Sequence, residues 1–342
     1  MALRSMDELR QRAQGALSLN IAFIGVVNGL FSTLHTLGNA DSAALAAAAG
    51  MDTGYVLRWC DAAYAFGWLE LTDNEQWRLS EDGDRMRPEA ENSRAGVAVG
   101  AILSAHMAER AAGLMRTGER PGEKVLAERE TILPWFGLML ENNFRKTFEE
   151  KICPAVPIFA EVDVRGGLAV DLGCGNGWYL RALAARCGHL HGLGLDGFAE
   201  NIRQATEKAQ SEGIADRLHF DEGDIHQFSL PEPADLIAMN RSLHHVWENR
   251  GEIFQRLHAS LKPEGAIVIW EPAWPDDHRV LREPPLRGMA FQNLTEHVQG
   301  NHFLHPEEIA AALSEAGLKP EIFPWSHTQN DREPCVSCGK HR

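Results

Sequence analysis

Apolar positions along the chain fall into two regimes. In the first, they recur at helical spacing: residues 17–36 are apolar or small almost throughout and predict one buried helix, with Gly25 and Gly29 letting another backbone come close. A second helix is expected after Asp41 or Ser42 as N-cap, running through the alanine-rich 43–49 and stopping at Gly50. A third begins near Asp52-Thr53 and carries Val56, Leu57, Cys60, Ala63 and Tyr64 on a helical period. Two short strand-like pieces, 68–71 and 77–79, then flank the polar turn 72–76. From about 95 to 160 the pattern stays helical, interrupted by the loop Gly118-Glu119-Arg120-Pro121-Gly122. Beyond it strands and helices alternate, which is the signature of a parallel sheet with crossover helices.

The organisation this predicts is an α/β protein in three parts. Residues 1–95 form a mostly helical, winged-helix-like domain, 96–160 a helical connector and substrate lid, and 161–342 a Rossmann-like α/β domain. Helices followed by a small hairpin often bind DNA. Here the candidate recognition helix, about 54–67, sets one base (Arg58) against one acid (Asp61), and the whole chain carries a net charge of −15, so phosphate finds no attraction and nucleic acid is not an expected partner. The apolar helix at 17–36 has more hydrophobic surface than so small a unit buries alone, so a homodimer through this domain is expected. No apolar run approaches the ~20 residues of a membrane span, and charged residues appear at once after Met1, so a cytoplasmic protein without membrane contact is expected. Cysteines at 60, 153, 174, 187, 335 and 338 are then free thiols. The pair Cys335-Val336-Ser337-Cys338 has CxxC spacing, but in a strand its two sulfurs point to opposite faces and do not converge on one ion.

Gly167-Leu168-Ala169-Val170-Asp171-Leu172-Gly173-Cys174-Gly175-Asn176-Gly177 is an apolar strand entering a glycine-rich turn, with a helix over 178–187. Such a turn admits a ligand against the main chain and places a helix N-terminus beside it. The dinucleotide fingerprint GxGxxG needs glycine at 178, where the chain has Trp. Asp196 ends the next strand, His191 to Leu195, where an acid is placed to bind both hydroxyls of a ribose. Asp224 follows the strand Leu218-His219-Phe220 and is placed to accept from an exocyclic amine. Each acid alone has an ordinary reading as a loop residue, but three at successive strand ends do not.

"VDLGCGNG", the Asp196 strand end, "EGDI" and "LKPEGAIVIWEP" (261–272) together resemble the successive motifs of class I S-adenosylmethionine (SAM)-dependent methyltransferases. The likeness covers roughly 160–342. It implies that Asp171, Gly173 and Gly175 surround the methionine end of SAM, that Asp196 holds the ribose, that Asp224 and Ile225 frame the adenine, and that Asn240, ending the next strand, also faces the cofactor. It also implies a terminal antiparallel pair at about 320–328 and 334–341. The N-terminal half resembles the dimerisation domain of small-molecule methyltransferases.

The strand 234–239 ends at Asn240, so Ser242-Leu243-His244-His245-Val246-Trp247 lies at the carboxyl edge of the sheet, where α/β folds place ligands. In O-methyltransferases of plant and polyketide type a histidine followed by Asp-Trp serves here as base for a hydroxyl; this chain has His245 where Asp stands. A second resemblance is closer: metal-dependent C-methyltransferases of 2-oxo acids, typified by the phenylpyruvate enzymes, hold a metal with one histidine here and another about fifty residues on. That resemblance implies ligands at His244 and His297, with His245 beside them, and iron or zinc as the metal. The chemistry supplies a reason, since a β-carbon must lose a weakly acidic proton before methylation and a Lewis acid on the 2-oxo group makes that loss possible.

The expected function is therefore SAM-dependent, metal-assisted C-methylation at the β-carbon of a 2-oxo acid, with His244, His245 and His297 as catalytic residues. The alternatives are an O-methyltransferase with His244 or His245 as base, and a SAM-sensing or DNA-binding regulator without catalysis. Glu271, ending the fifth strand, is either a support for the metal ligand or a polar strand end. Arg145 and Arg241 are candidates to clamp a substrate carboxylate, though a structural arginine is the commoner case. His302 and His305 fit helix entry or capping, and the histidines at 189, 191, 219 and 226 fit the surface.

Overall fold

The structure, a computed structural model, describes residues 5–122, 125, 132–323 and the strand 335–340. Its contacts divide the chain into two compact units, residues 1–110 with 126–143 and residues 111–125 with 144–342. The segment 96–160, expected as a separate connector, is thus shared between them.

In the first unit the long apolar helix expected over 17–36 is two, Met6–Val27 and Leu30–Leu37, bent by 69°. The break is local: the Asn28 side chain donates to the Ile24 carbonyl at 2.8 Å, and Gly29 adopts φ 64°, open only to a residue without Cβ strain. Gly29 therefore turns the chain and has nothing near it to pack against, whereas a methyl group on Gly25 would collide with the rings of Phe31 and Trp59. The next two helices start where the capping residues predict. Asp41 accepts from Ala44 N at 2.7 Å and Asp52 from Tyr55 N at 2.9 Å, and they span Ser42–Ala49 and Thr53–Ala65. A two-stranded antiparallel hairpin, β1 (Leu69–Leu71) with β2 (Trp77–Leu79), follows. Leu34, Leu45, Val56, Trp59 and Val26 form the core of this unit. Among the described residues no single helix is long and apolar enough to cross a membrane.

The second unit is built on strands β3 (Leu168–Leu172), β4 (His191–Asp196), β5 (Leu218–Glu222), β6 (Ala234–Asn240), β7 (Leu261–Glu271), β8 (Lys319–Phe323) and β9 (Cys335–Lys340). They form one sheet in the order β5-β4-β3-β6-β7-β9-β8, parallel from β5 to β7, with β9 antiparallel to both of its neighbours. The central strands read as near-continuous apolar runs because both faces are covered: Val170, Leu172, Ile237, Met239, Ile267 and Ile269 share one core with Phe254, Leu257, Ile309 and Leu313 from the helices. The helices over 178–186, 199–211 and 250–259 are the crossovers that let consecutive strands run parallel. All five parallel strands deliver their carboxyl ends to one edge, so Leu172, Asp196, Glu222, Asn240 and Glu271 are neighbours across that edge. Among the described residues Cys60, Cys153, Cys174 and Cys187 are free, and the side chains of Cys335 and Cys338 lie outside the described residues.

At the opposite edge Asp235 ties the sheet together. Its Oδ2 accepts from Leu168 N at 2.9 Å and from Lys262 Nζ at 2.7 Å. Burial pushes this carboxyl up, but Lys262 and the Leu168 N–H outweigh it and hold it below the ordinary range. A depressed carboxyl stabilises the fold above its unfolded pKa of ~3.9 and loses that contribution as pH falls through its folded value. Asp235→Asn should therefore lower stability at pH 7 by about 1–3 kcal/mol, read as a lower urea midpoint, and the gap to the parent protein should close as pH falls below about 4.

Candidate active site

The glycine-rich turn after β3 is folded back onto the end of β4. Gly173 N and Cys174 N both donate to the Leu195 carbonyl, at 2.8 and 3.0 Å, and Gly175 N donates to Asp196 Oδ2 at 2.9 Å. Gly173, Gly175 and Gly177 have φ of 78°, 53° and 73°, which only glycine adopts cheaply. Space is limiting as well, since a Cβ on Gly177 would lie 2.6 Å from the Phe220 ring and 2.9 Å from Ala205 Cβ. Trp178, the residue that breaks the dinucleotide fingerprint, opens the following helix and packs edge-on against Trp270 at 6.2 Å.

The acids expected to hold a cofactor take different parts. Asp196 is already committed on three sides: Oδ1 accepts from Phe198 N at 3.0 Å and Asn201 Nδ2 at 2.9 Å, and Oδ2 from Gly175 N. Since a carboxylate oxygen accepts about two hydrogen bonds, one position remains at Oδ2. Asp171 is buried with Oδ1 lacking any partner; burial and the nearby Asp196 charge push its carboxyl up to about 8. The buried Asn240 Oδ1 is also without a partner. Asp224 is exposed, its Oδ1 accepting from His226 N at 2.8 Å, and Ile225 packs half-buried against the sheet core. The cradle thus presents acceptors, which suits a ligand carrying N–H and O–H donors and positive charge.

Beyond β6 the 3₁₀ turn Leu243–Asn249 carries the paired histidines. Glu271, at the end of β7, divides its two oxygens between them and the backbone: Oε1 accepts from Leu243 N at 2.7 Å, and Oε2 lies 2.6 Å from His244 Nδ1. That bond leaves His244 Nε2 facing Glu296 Oε2, 3.7 Å away. The rings of His244 and His245 lie 4.2 Å apart, and the Asn301 amide is 2.8 Å from His245 Nδ1. Gln299 Nε2 donates to Glu296 Oε2 at 3.1 Å and Gln292 Nε2 to Oε1 at 3.4 Å, fixing that carboxylate on the helix Pro284–Val298. Phe303 covers the His244 ring edge-on at 5.6 Å.

One donor atom from each of His244, His245 and Glu296 falls within 4.8 Å of the others. Burial alone would push the His244 imidazole down, yet Glu271 and Glu296 outweigh it and lift it to about 10, so the potential at this ring favours positive charge. Donors each ~2.1 Å from a shared ion stand roughly 3–3.5 Å apart, close to the His244–Glu296 separation. The arrangement is that of two histidines and a carboxylate with the first histidine oriented by a further carboxylate.

The sequence had placed the second ligand at His297. That residue is exposed, because successive helical positions are about 100° apart and the turn that points Glu296 inward points His297 to solvent. Glu296, and not His297, lies beside His244, and His245 offers a further donor atom there. The signal for Glu296 was present in the sequence: Gln292, Glu296 and Gln299 share a helix face at i, i+4 and i+7. Arg145 is engaged with Glu149 at 2.9 Å and Glu212 at 3.7 Å. His305 caps the helix Pro306–Glu315, and His302 is exposed, as are the histidines at 189, 191, 219 and 226.

Known proteins resemble this chain in sequence and in fold. The model of a family described as a methyltransferase domain matches residues 169–265. A carboxy-S-adenosyl-L-methionine synthase of Wolinella succinogenes is 31% identical over 176 residues, covering 51% of this chain and 68% of its own. A sterol 24-C-methyltransferase of Gibberella zeae is 27% identical over 183 residues, 48% of this chain, and the chain spans 45% of that relative's length. Two solved structures share the fold over nearly the whole chain. An O-methyltransferase family protein from Burkholderia thailandensis has TM-score 0.70 and 18% identity over 99% of both chains. Human N-acetylserotonin methyltransferase in complex with SAM has TM-score 0.68 and 20% identity over 100% of this chain and 99% of its own.

The glycine turn is the most exacting part of the cradle. Gly177→Ala adds a methyl group where Phe220 and Ala205 already stand, on a backbone that disfavours it, and should cost about 1–3 kcal/mol. Thermal melting of the purified variant checks this, and an unchanged midpoint would show that the turn has room to spare.

Proposed function

Because the chain belongs to the class I SAM-dependent methyltransferases, we propose that it transfers the methyl group of SAM to a small molecule anchored on a metal ion held by His244, His245 and Glu296, and that the acceptor is the β-carbon of a 2-oxo acid. The observation that carries this reading is the convergence of those three donors, with Glu271 fixing the far nitrogen of His244. The residues of the cradle fit SAM: the unpartnered oxygens of Asp171 and Asn240 suit its charged methionine end, and the open position on Asp196 Oδ2 suits a ribose hydroxyl. Asp224 and Ile225 stand where the adenine edge would be framed. Bound there, SAM supplies a methyl group activated by its sulfonium.

An iron or zinc ion held by His244, His245 and Glu296 would supply Lewis acidity toward the 2-oxo group, lowering the cost of losing a β-proton. The protein's own part is positional. Glu271 holds the His244 ring in one tautomer, Asn301 holds His245, and Gln292 and Gln299 hold Glu296, so the three donors are set before anything binds. Phe303 closes one side against water. The N-terminal unit we read as a winged-helix-like dimerisation domain, supported by Leu9, Leu17 and Ile24, which stay exposed along the helix Met6–Val27.

A second reading is methylation of a hydroxyl, with His244 as a base oriented by Glu271 and no metal. It draws on the His244–Glu271 pair and on the solved O-methyltransferases that share the whole-chain fold. Elemental analysis separates the two. The first reading expects about one iron or zinc per chain, lost in His244→Ala and Glu296→Ala and kept in His297→Ala, together with C-methylated product from a 2-oxo acid panel. Full turnover of hydroxyl acceptors by chelator-treated protein would establish the second. Asp196→Ala should weaken SAM binding ten- to a hundredfold in calorimetry under either reading, since it frees the Gly175 N–H as well as losing the ribose contact.

A further inference from the structure

Arg241 stands three positions before His244 with φ of 58°, a conformation that residues other than Gly, Asn and Asp rarely adopt. Its neighbours hold it there. Arg241 N donates to the Trp270 carbonyl at 2.7 Å, and the next residue, Ser242, donates through Oγ to the Leu172 carbonyl at 2.6 Å. The guanidinium lies 4.2 Å above the Phe144 ring, which packs edge-on against Trp270 at 5.9 Å. Among the described residues this guanidinium makes no hydrogen bond and no ion pair. Two other arginines of this unit are matched: the buried Arg181 pairs with Glu212, and the half-buried Arg217 donates to the carbonyls of Ala184 and Cys187 at 3.0 and 2.8 Å.

Arg241 is half-buried, and a guanidinium held over an aromatic ring by a strained backbone, with its fork of five N–H donors unpaired, is placed to meet an acceptor from outside the protein. Burial brings the group down to about 10 even though the carboxylates of Glu271 and Glu296 pull it up. Those carboxylates lie close enough to act on it electrostatically yet do not bond it, so the fork is free for something else. We propose that Arg241 is the specificity anchor of the acceptor pocket, binding a carboxylate of the methyl acceptor through its paired N–H groups. This rests on the reading that the pocket beside His244 takes a small-molecule acceptor. The charges agree with a singly negative one: Glu271 and Glu296 are offset by a divalent ion at the histidine cluster, which leaves the Arg241 charge for the acceptor. A guanidinium meets a carboxylate with two parallel hydrogen bonds, whereas a lysine offers a point charge.

The test uses the full-length protein loaded with S-adenosylhomocysteine and titrated with straight-chain, aromatic and guanidino 2-oxo acids and with their methyl esters. Arg241→Gly removes the side chain while accepting the left-handed backbone, and Arg241→Lys keeps the charge without the fork. The parent should bind at least one acid, and bind it tenfold or more tightly than its ester. Arg241→Gly should erase that preference, Arg241→Lys should restore part of it, and melting temperature and metal content should stay at parental values in both. Equal binding of acid and ester by the parent, unchanged binding in Arg241→Gly, or no binding of any acid overturns the proposal. Loss of metal and of melting temperature in Arg241→Gly also overturns it, because it assigns the arginine to balancing Glu271 and Glu296. Protein free of metal that still shows the acid preference upholds the anchor while removing the metal-assisted reading.

Discussion

The bidentate grip of Glu271 is the constraint on which the candidate site depends. One oxygen holds the Leu243 N–H and the other the His244 ring, so the end of β7 fixes both the start of the 3₁₀ turn and the tautomer of the histidine inside it. This carboxylate and its imidazole partner are both buried, where an unmatched charge costs several kcal/mol, and each is therefore committed to the other. Strand β7 in turn is set by its register with β6, which pairs Asn240 with Trp270 and so delivers Glu271 one residue beyond the edge. A slip of one position along β7 would turn Glu271 to the other face and leave the turn without its anchor.

Much of the architecture was legible because parallel strands have a strong signature. Apolar runs ending in glycine or acid marked β3, β4 and β5, and the topology then required their acidic ends to share an edge. Helix starts at Asp41 and Asp52 were equally plain, since a capping side chain acts within three residues of itself. The pairing of β8 with β9 came from the family likeness rather than from the residues.

What the sequence concealed depends on rotation and on single dihedrals. His297 and Glu296 are adjacent, and only the phase of the helix Pro284–Val298, set by how it packs, decides which of them faces His244. The break at Asn28-Gly29 was hidden because both flanking segments are apolar, and glycine within an apolar run reads equally well as a packing contact or a turn. The unpaired fork of Arg241 could not be read at all, because being without a partner is a property of the surroundings.

The two compact units carry a consequence for how the chain is made. Each is assembled from separate stretches, with the backbone passing from one to the other three times between residues 110 and 144. During synthesis the first unit cannot close when its first 110 residues have emerged; it waits for residues 126–143, by which time the leading stretch of the second unit has already been laid down. No single cut separates the units cleanly: a break after Arg110 leaves the first without residues 126–143, and one after Asn143 leaves the second without residues 111–125. The crossing makes the donor-binding sheet and the N-terminal helices a single unit of inheritance: recombination that exchanges one of them must carry both of its pieces at once.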